Sequence, residues 1–237
     1  LQVARIEAMT EQLRARQGVV QSMVEELEER VDAGLIHEDE LVEAAIQSKL
    51  LDFELEKALL DLEEVHMSGE APSNELYAPL QDGRDFIIER LEIDLRRVEM
   101  IKKHLEVGVD DLKRRVEAGL VSQEEMRELE LQIDGANGEI EDVQRRIDLR
   151  RGYLSGDLSS REIILMQITK KARSRLDKAE RVLKMTEERL TEISELHARG
   201  LVRESELRQA EYQVITSRSE FRIAEIELEL LEERLEK

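Results

Sequence analysis

The sequence predicts an all-α fold of six long helices, arranged as elongated antiparallel coiled-coil hairpins in three tandem repeats. The chain has 237 residues and only two prolines, which leaves long helices uninterrupted. Charged residues make up 39% and aromatic residues only 3%, a composition typical of narrow helix–helix seams rather than of a thick core. A glycine-centred segment also recurs three times, which indicates a repeat architecture.

The recurring segment is a glycine followed by two apolar residues, and its three copies lie roughly 80 residues apart. Glycine readily adopts the left-handed conformation that ends a helix, so each copy predicts a tight turn between two helices. In the simpler interpretation the apolar pair after each glycine covers the end of the hairpin core; the alternative is a docking tip for a partner protein. The nine candidate tip residues are Gly34, Leu35, Ile36, Gly119, Leu120, Val121, Gly200, Leu201 and Val202.

After each glycine, seam residues follow a 3–4 spacing that persists for about four heptads. This spacing predicts a helix with one narrow apolar face, and the small residues on that face allow a neighbouring helix to approach closely. The predicted seam positions are Leu41, Ala44, Ser48, Leu51, Leu55, Ala58, Leu62 and Val65, then Met126, Leu129, Ile133, Ala136, Ile140, Val143 and Ile147, then Leu207, Ala210, Val214, Ser217, Phe221, Ala224, Leu228 and Leu231.

A second kind of break, a serine followed by glycine, recurs at Gly69 and Gly156. After Gly156, Ser159 and Glu162 have the spacing of a capping box and predict the start of a helix. Together the breaks divide the chain into three helical hairpin repeats, at 1–69, 70–156 and 157–237. The six predicted helices lie near 1–33, 36–66, 84–117, 122–154, 159–198 and 202–237.

The composition disfavours several functions. A net charge of −20 repels nucleic acid and anionic membrane surfaces, so we expect neither as a direct partner. No apolar run approaches the roughly 20 residues that a membrane span needs. The chain lacks cysteine and shows no glycine-rich phosphate loop, and its paired acids are typical of solvated helix faces, so we expect no enzyme. Helical patterns run at both ends, which suggests a segment of a longer protein.

Two histidines beside glycine turns, His37 and His197, are the best candidates for metal binding, because carboxylates lie near them. The simpler interpretation is surface histidines in turns, since the ligand spacing of a metal site is lacking. Glu63 and His66 have the helical spacing used in carboxylate di-iron bundles, but no second such motif follows. We therefore predict no metal site and no cofactor.

The turn unit reads Ala-Gly-Leu-Val-Ser-Gln-Glu-Glu-Met at 118–126 and Arg-Gly-Leu-Val-Arg-Glu-Ser-Glu-Leu-Arg-Gln-Ala at 199–210. It resembles the α-helical hairpins of bacterial periplasmic adaptor (membrane fusion) proteins and of TolC-like outer-membrane efflux factors. In those families the glycine turn is a tip that docks one component of a channel onto another. The resemblance implies a periplasmic location and a docking role for the nine tip residues.

The leading functional hypothesis is a non-enzymatic structural or protein-interaction module, related to efflux or secretion assemblies. Its expected partners are other proteins or a second copy of itself, because narrow seams leave the edge helices partly apolar. The alternative hypothesis is an extracytoplasmic helical domain that senses a ligand or a metal for a regulator. The acidic charge disfavours a third hypothesis, a membrane-remodelling protein.

Overall fold

The computed structural model describes residues 2–118, 120 and 123–235. Within those residues it contains six α-helices and no strand, which confirms the predicted all-α fold, and every predicted helix end lies within two residues of the observed one. In this described part of the chain, no helix combines the length and the apolar character that crossing a bilayer requires. The helices are α1 (Gln2–Asp32), α2 (Glu38–Ser68), α3 (Phe86–Glu117), α4 (Gln123–Ser155), α5 (Ser160–Ala198) and α6 (Glu204–Leu235).

The chain divides into two compact units, Leu1–Ser155 and Gly156–Lys237. In the first unit, α1 packs on α2, α2 on α3, and α3 on α4; the second unit is α5 packed on α6. This packing of consecutive helices fits helical hairpins and coiled coil. The boundaries of the three sequence repeats stay a prediction.

All of the predicted seam positions are buried or half-buried, as expected of residues between paired helices. In the second unit, the Thr186 and Ser217 hydroxyl oxygens lie 2.7 Å apart across the seam. Farther from the turn, Arg173 of α5 forms an ion pair with Glu232 of α6 at 2.6 Å. Residue numbers rise along α5 as they fall along α6 at these contacts, so the two helices run antiparallel.

In the described part of the chain, side-chain caps start α3 and α5. The Ser159 hydroxyl accepts the Glu162 backbone N–H, and the Glu162 carboxylate accepts the Ser159 backbone N–H at 2.7 Å, which confirms the predicted capping box. These Ser159 hydrogen bonds hold the pKa of Glu162 below its ordinary value. At the start of α3, Asp85 accepts the backbone N–H groups of Ile87 and Ile88, a cap that the sequence analysis did not identify.

Two buried arginines, Arg90 and Arg150, fasten the segment between α2 and α3; we call them the arginine clamp. Arg150 of α4 is fully buried. Its guanidinium pairs with Asp85 at 2.9 Å and donates to the backbone carbonyls of Leu76, at 3.1 Å, and Ala78. This side chain therefore ties α4 to the segment and to the start of α3.

The other arginine of the clamp, Arg90 of α3, is 3% exposed and pairs with two acids of α2. It contacts the Glu64 carboxylate and lies 2.9 Å from that of Asp61. It also donates to the Ser73 carbonyl, which holds the start of the segment. Burial raises the pKa of Asp61, and the charge of Arg90 opposes that rise.

Candidate docking turns

The three glycine turns share one backbone hydrogen bond. In each, the leucine after the glycine donates its N–H to the carbonyl five residues earlier, the bond that closes a Schellman-type helix end. Three sequence copies of the turn therefore form the same local structure where the chain is described. The donor–acceptor pairs are Leu35 and Arg30 at 2.9 Å, Leu120 and Arg115 at 2.9 Å, and Leu201 and Leu196 at 3.0 Å.

Glycine is required at the first and third turns for its backbone conformation. Gly34 has a φ of 69° and Gly200 a φ of 75°, in the left-handed region that costs other residues about 1–2 kcal/mol. No atom lies within 4 Å of a Cβ built at either position, so close packing is not the reason for glycine. Gly119 and Val121, two of the predicted tip residues, lie outside the described residues.

The two apolar residues after the glycine have different environments. Leu35, Leu120 and Leu201 are 72%, 75% and 70% exposed. Ile36 and Val202, the second members of their pairs, are half-buried. In these two turns the second residue is thus partly covered, whereas the leucine presents its side chain to solvent. The sequence pattern treated each pair as one unit and did not distinguish these roles.

Two of the exposed leucines lie at the same end of the first unit. Lys57 of α2 pairs with Asp94 of α3 at 2.8 Å, and Asp61 of α2 pairs with Arg90 of α3. These pairings make α2 and α3 antiparallel, so the start of α2 and the end of α3 lie toward the same end of the unit. Leu35 precedes that start and Leu120 follows that end. The first unit therefore carries two equivalent leucines toward one end.

The turn in the second unit also carries a side-chain contact between its helices. His197 Nε2, in the last turn of α5, lies 3.2 Å from Glu204 Oε2, in the first turn of α6. The Arg208 Nε contacts the other oxygen of the same carboxylate at 3.1 Å. His197 thus has a local partner across the turn. In the described part of the chain, no group of three or more His, Cys, Asp or Glu side chains is placed to hold a metal ion.

The described tip residues therefore lie on turns that share one hydrogen bond, and the three leucines are the exposed apolar residues among them. The structure also shows the arginine clamp, which the sequence analysis missed. The clamp residues contact partners distant in sequence, and no local pattern marks them as buried. No family model, curated protein or solved structure matches the chain.

Proposed function

We propose that this chain is a non-enzymatic interaction module whose glycine turns dock onto a partner protein through Leu35, Leu120 and Leu201. One observation carries the proposal: a leucine is exposed by 70–75% at the same position of three turns that share one hydrogen-bonding pattern. Burying a leucine side chain contributes about 1.5–3 kcal/mol, so each exposed leucine offers that gain to a partner with an apolar pocket.

The partner we propose is a protein component of an efflux or secretion assembly in the periplasm. This class follows from the resemblance of the turn sequences to the hairpins of adaptor and TolC-like proteins. The helices that carry the turns are 31 to 39 residues long, which corresponds to about 45–60 Å at 1.5 Å per residue. Helices of that length serve as spacers that hold a docking turn away from the rest of an assembly.

A pair of matched triple variants tests the proposal. The tip variant replaces Leu35, Leu120 and Leu201 with serine. The control variant replaces three apolar residues of similar exposure on helix faces with serine. They are Val19, Leu131 and Met185, which are 71%, 70% and 67% exposed. Thermal unfolding followed by circular dichroism reports stability. Photo-crosslinking in the source cells identifies the partner for binding measurements. The crosslinker is placed at position 120, and at position 131 as the control.

We expect the tip variant to keep its melting temperature and to bind the purified partner more weakly, by about tenfold or more for each leucine buried. The control variant should keep both properties. If the tip variant melts at a much lower temperature than the control, the leucines stabilise the helix pairs instead. A tip variant with the stability and the partner affinity of the original chain would refute the docking role.

A further inference from the structure

Helix α6 is apolar on two opposite faces. One face is the seam with α5, where Ala210, Ala224 and Leu228 are buried. At about 3.6 residues per turn, a second set of residues lies on the opposite side of the helix, and we call it the outer stripe. The outer stripe consists of Tyr212, Ile215, Ser219, Ile223, Ile226 and Leu230.

The outer stripe is exposed along its whole length. Tyr212 and Ile215 are 69% and 66% exposed, and Ile223, Ile226 and Leu230 are 42–53% exposed. Within the second unit, α6 packs on α5. Single exposed apolar residues are ordinary on a protein surface, but five on one helix face form a patch that indicates an interaction site.

The first unit shows what covers the equivalent face. When the turns at Gly34 and Gly200 are aligned, Leu60 of α2 takes the place of Ile226 in α6. Leu60 is 7% exposed and packs with Phe86 and Ile93 of the antiparallel helix α3. At the level of Leu60 and Ile226, the face is therefore covered by another helix in the first unit and exposed in the second.

We propose that the outer stripe of α6 binds the outer stripe of a second copy of this chain, with the two helices antiparallel around a two-fold axis. Such an interface requires that each residue meet a partner that meets it in return. With residue 221 level with the axis, Tyr212 lies opposite Leu230 of the second copy. The small Ser219 lies opposite Ile223, so the helices can approach closely at the centre.

The area of the outer stripe fits a dimer at the lower end of stability. Taking roughly 180 Å² for a fully exposed side chain of this size, the five apolar side chains expose on the order of 500 Å² per copy. Two copies then bury on the order of 1,000 Å², which is close to the lower limit for specific interfaces. The net charge of −20 opposes association, so salt should strengthen the dimer by screening that repulsion.

Sedimentation equilibrium of the whole chain tests the dimer and the face that it uses. We expect a species of twice 27.5 kDa whose dissociation constant falls as salt is raised. Changing Ile215 and Ile226 to glutamate should weaken it by about a hundredfold or more, since two apolar side chains leave the interface. The matched control changes Leu131 and Met185, 70% and 67% exposed, to glutamate and should dimerise nearly as the original chain does.

A cysteine experiment tests the antiparallel register without relying on the glutamate variants. The chain has no cysteine, so Ser219→Cys and Ile223→Cys can be made as single-cysteine variants. A disulfide needs Cα atoms within about 7 Å, which the proposed register gives for a mixed pair but not for two cysteines at position 219. Oxidation of an equal mixture should therefore yield mainly the mixed disulfide.

Three results would overturn the proposal. A monomeric original chain at all salt concentrations would leave the stripe to a different protein. An undiminished dimer in the glutamate variant would place the interface elsewhere. A dominant disulfide between two copies of Ser219→Cys would mean parallel packing or an antiparallel register centred on residue 219. None of these results bears on the leucines of the glycine turns, so the dimer and the docking function are tested separately.

Discussion

Replacing Arg150 with alanine tests whether the arginine clamp holds the segment between α2 and α3. The side chain is fully buried and donates to the backbone carbonyls of Leu76 and Ala78. Its charge pairs with Asp85, whose side chain is 16% exposed. Removal leaves both carbonyls without this donor and a mostly buried carboxylate without its cation.

The expected loss of unfolding free energy follows from these contacts. Removing one partner of a buried ion pair costs about 3–5 kcal/mol, because the other partner remains buried. Asp85 also accepts the N–H groups of Ile87 and Ile88, so its carboxylate keeps two hydrogen bonds after the change. We therefore expect about 3 kcal/mol, the lower end of that range.

Hydrogen–deuterium exchange read by mass spectrometry is the appropriate assay, because it reports the two units separately. In the Arg150→Ala variant, peptides from residues 76–85 and from the neighbouring ends of α3 and α4 should exchange on the order of a hundredfold faster. Peptides of α5 and α6 should exchange as before. The matched control is Arg151→Ala, which changes the exposed neighbouring arginine. Unchanged exchange at residues 76–85, or equal acceleration by the control, would refute the clamp.

Two further predictions concern the second unit. Ala224 is 1% exposed in the α5–α6 seam, so Ala224→Phe should overpack it and cost about 1–3 kcal/mol. Urea unfolding measures the cost, with the exposed Gln209→Phe as control, and equal midpoints for the two variants would contradict the seam. Ser159→Ala should raise the pKa of Glu162 toward its ordinary value, as measured by an NMR titration of that carboxyl. Because the pKa of Glu162 is lower in the folded chain, the cap stabilises the folded chain above the unfolded pKa of Glu162, and this stabilisation is lost as pH falls through the folded pKa. A Glu162 pKa unchanged by Ser159→Ala would show that the cap does not cause the lowered pKa.

The sequence predicted the helices well because their signals are local. The 3–4 spacing placed the seams, and residues such as Ala136 and Val214 are indeed buried. The serine–glutamate spacing placed the start of α5. Each of these signals depends on residues within a few positions of one another, which is the range over which helix geometry repeats.

The arginine clamp could not be predicted in this way. Arginine is common in a chain with 39% charged residues, and most of its arginines lie at the surface. Arg150 contacts Leu76 and Asp85, which are 74 and 65 positions away in sequence. The sequence pattern also could not predict that Leu35 is exposed, because a glycine followed by two apolar residues fits a buried helix end as well as an exposed one.

The distance in sequence spanned by the clamp also bears on the rate at which the first unit unfolds. The contacts of α1 with α2 and of α3 with α4 join neighbours across short turns, and contacts of that kind form early in folding. The clamp contacts of Arg150 close loops of 65 to 74 residues, so their entropy cost must be met before they stabilise anything. We expect these contacts to form after the rate-limiting step. The clamp then chiefly slows unfolding. Loss of the clamp shortens the lifetime of the folded first unit, while the folding rate of that unit stays nearly the same.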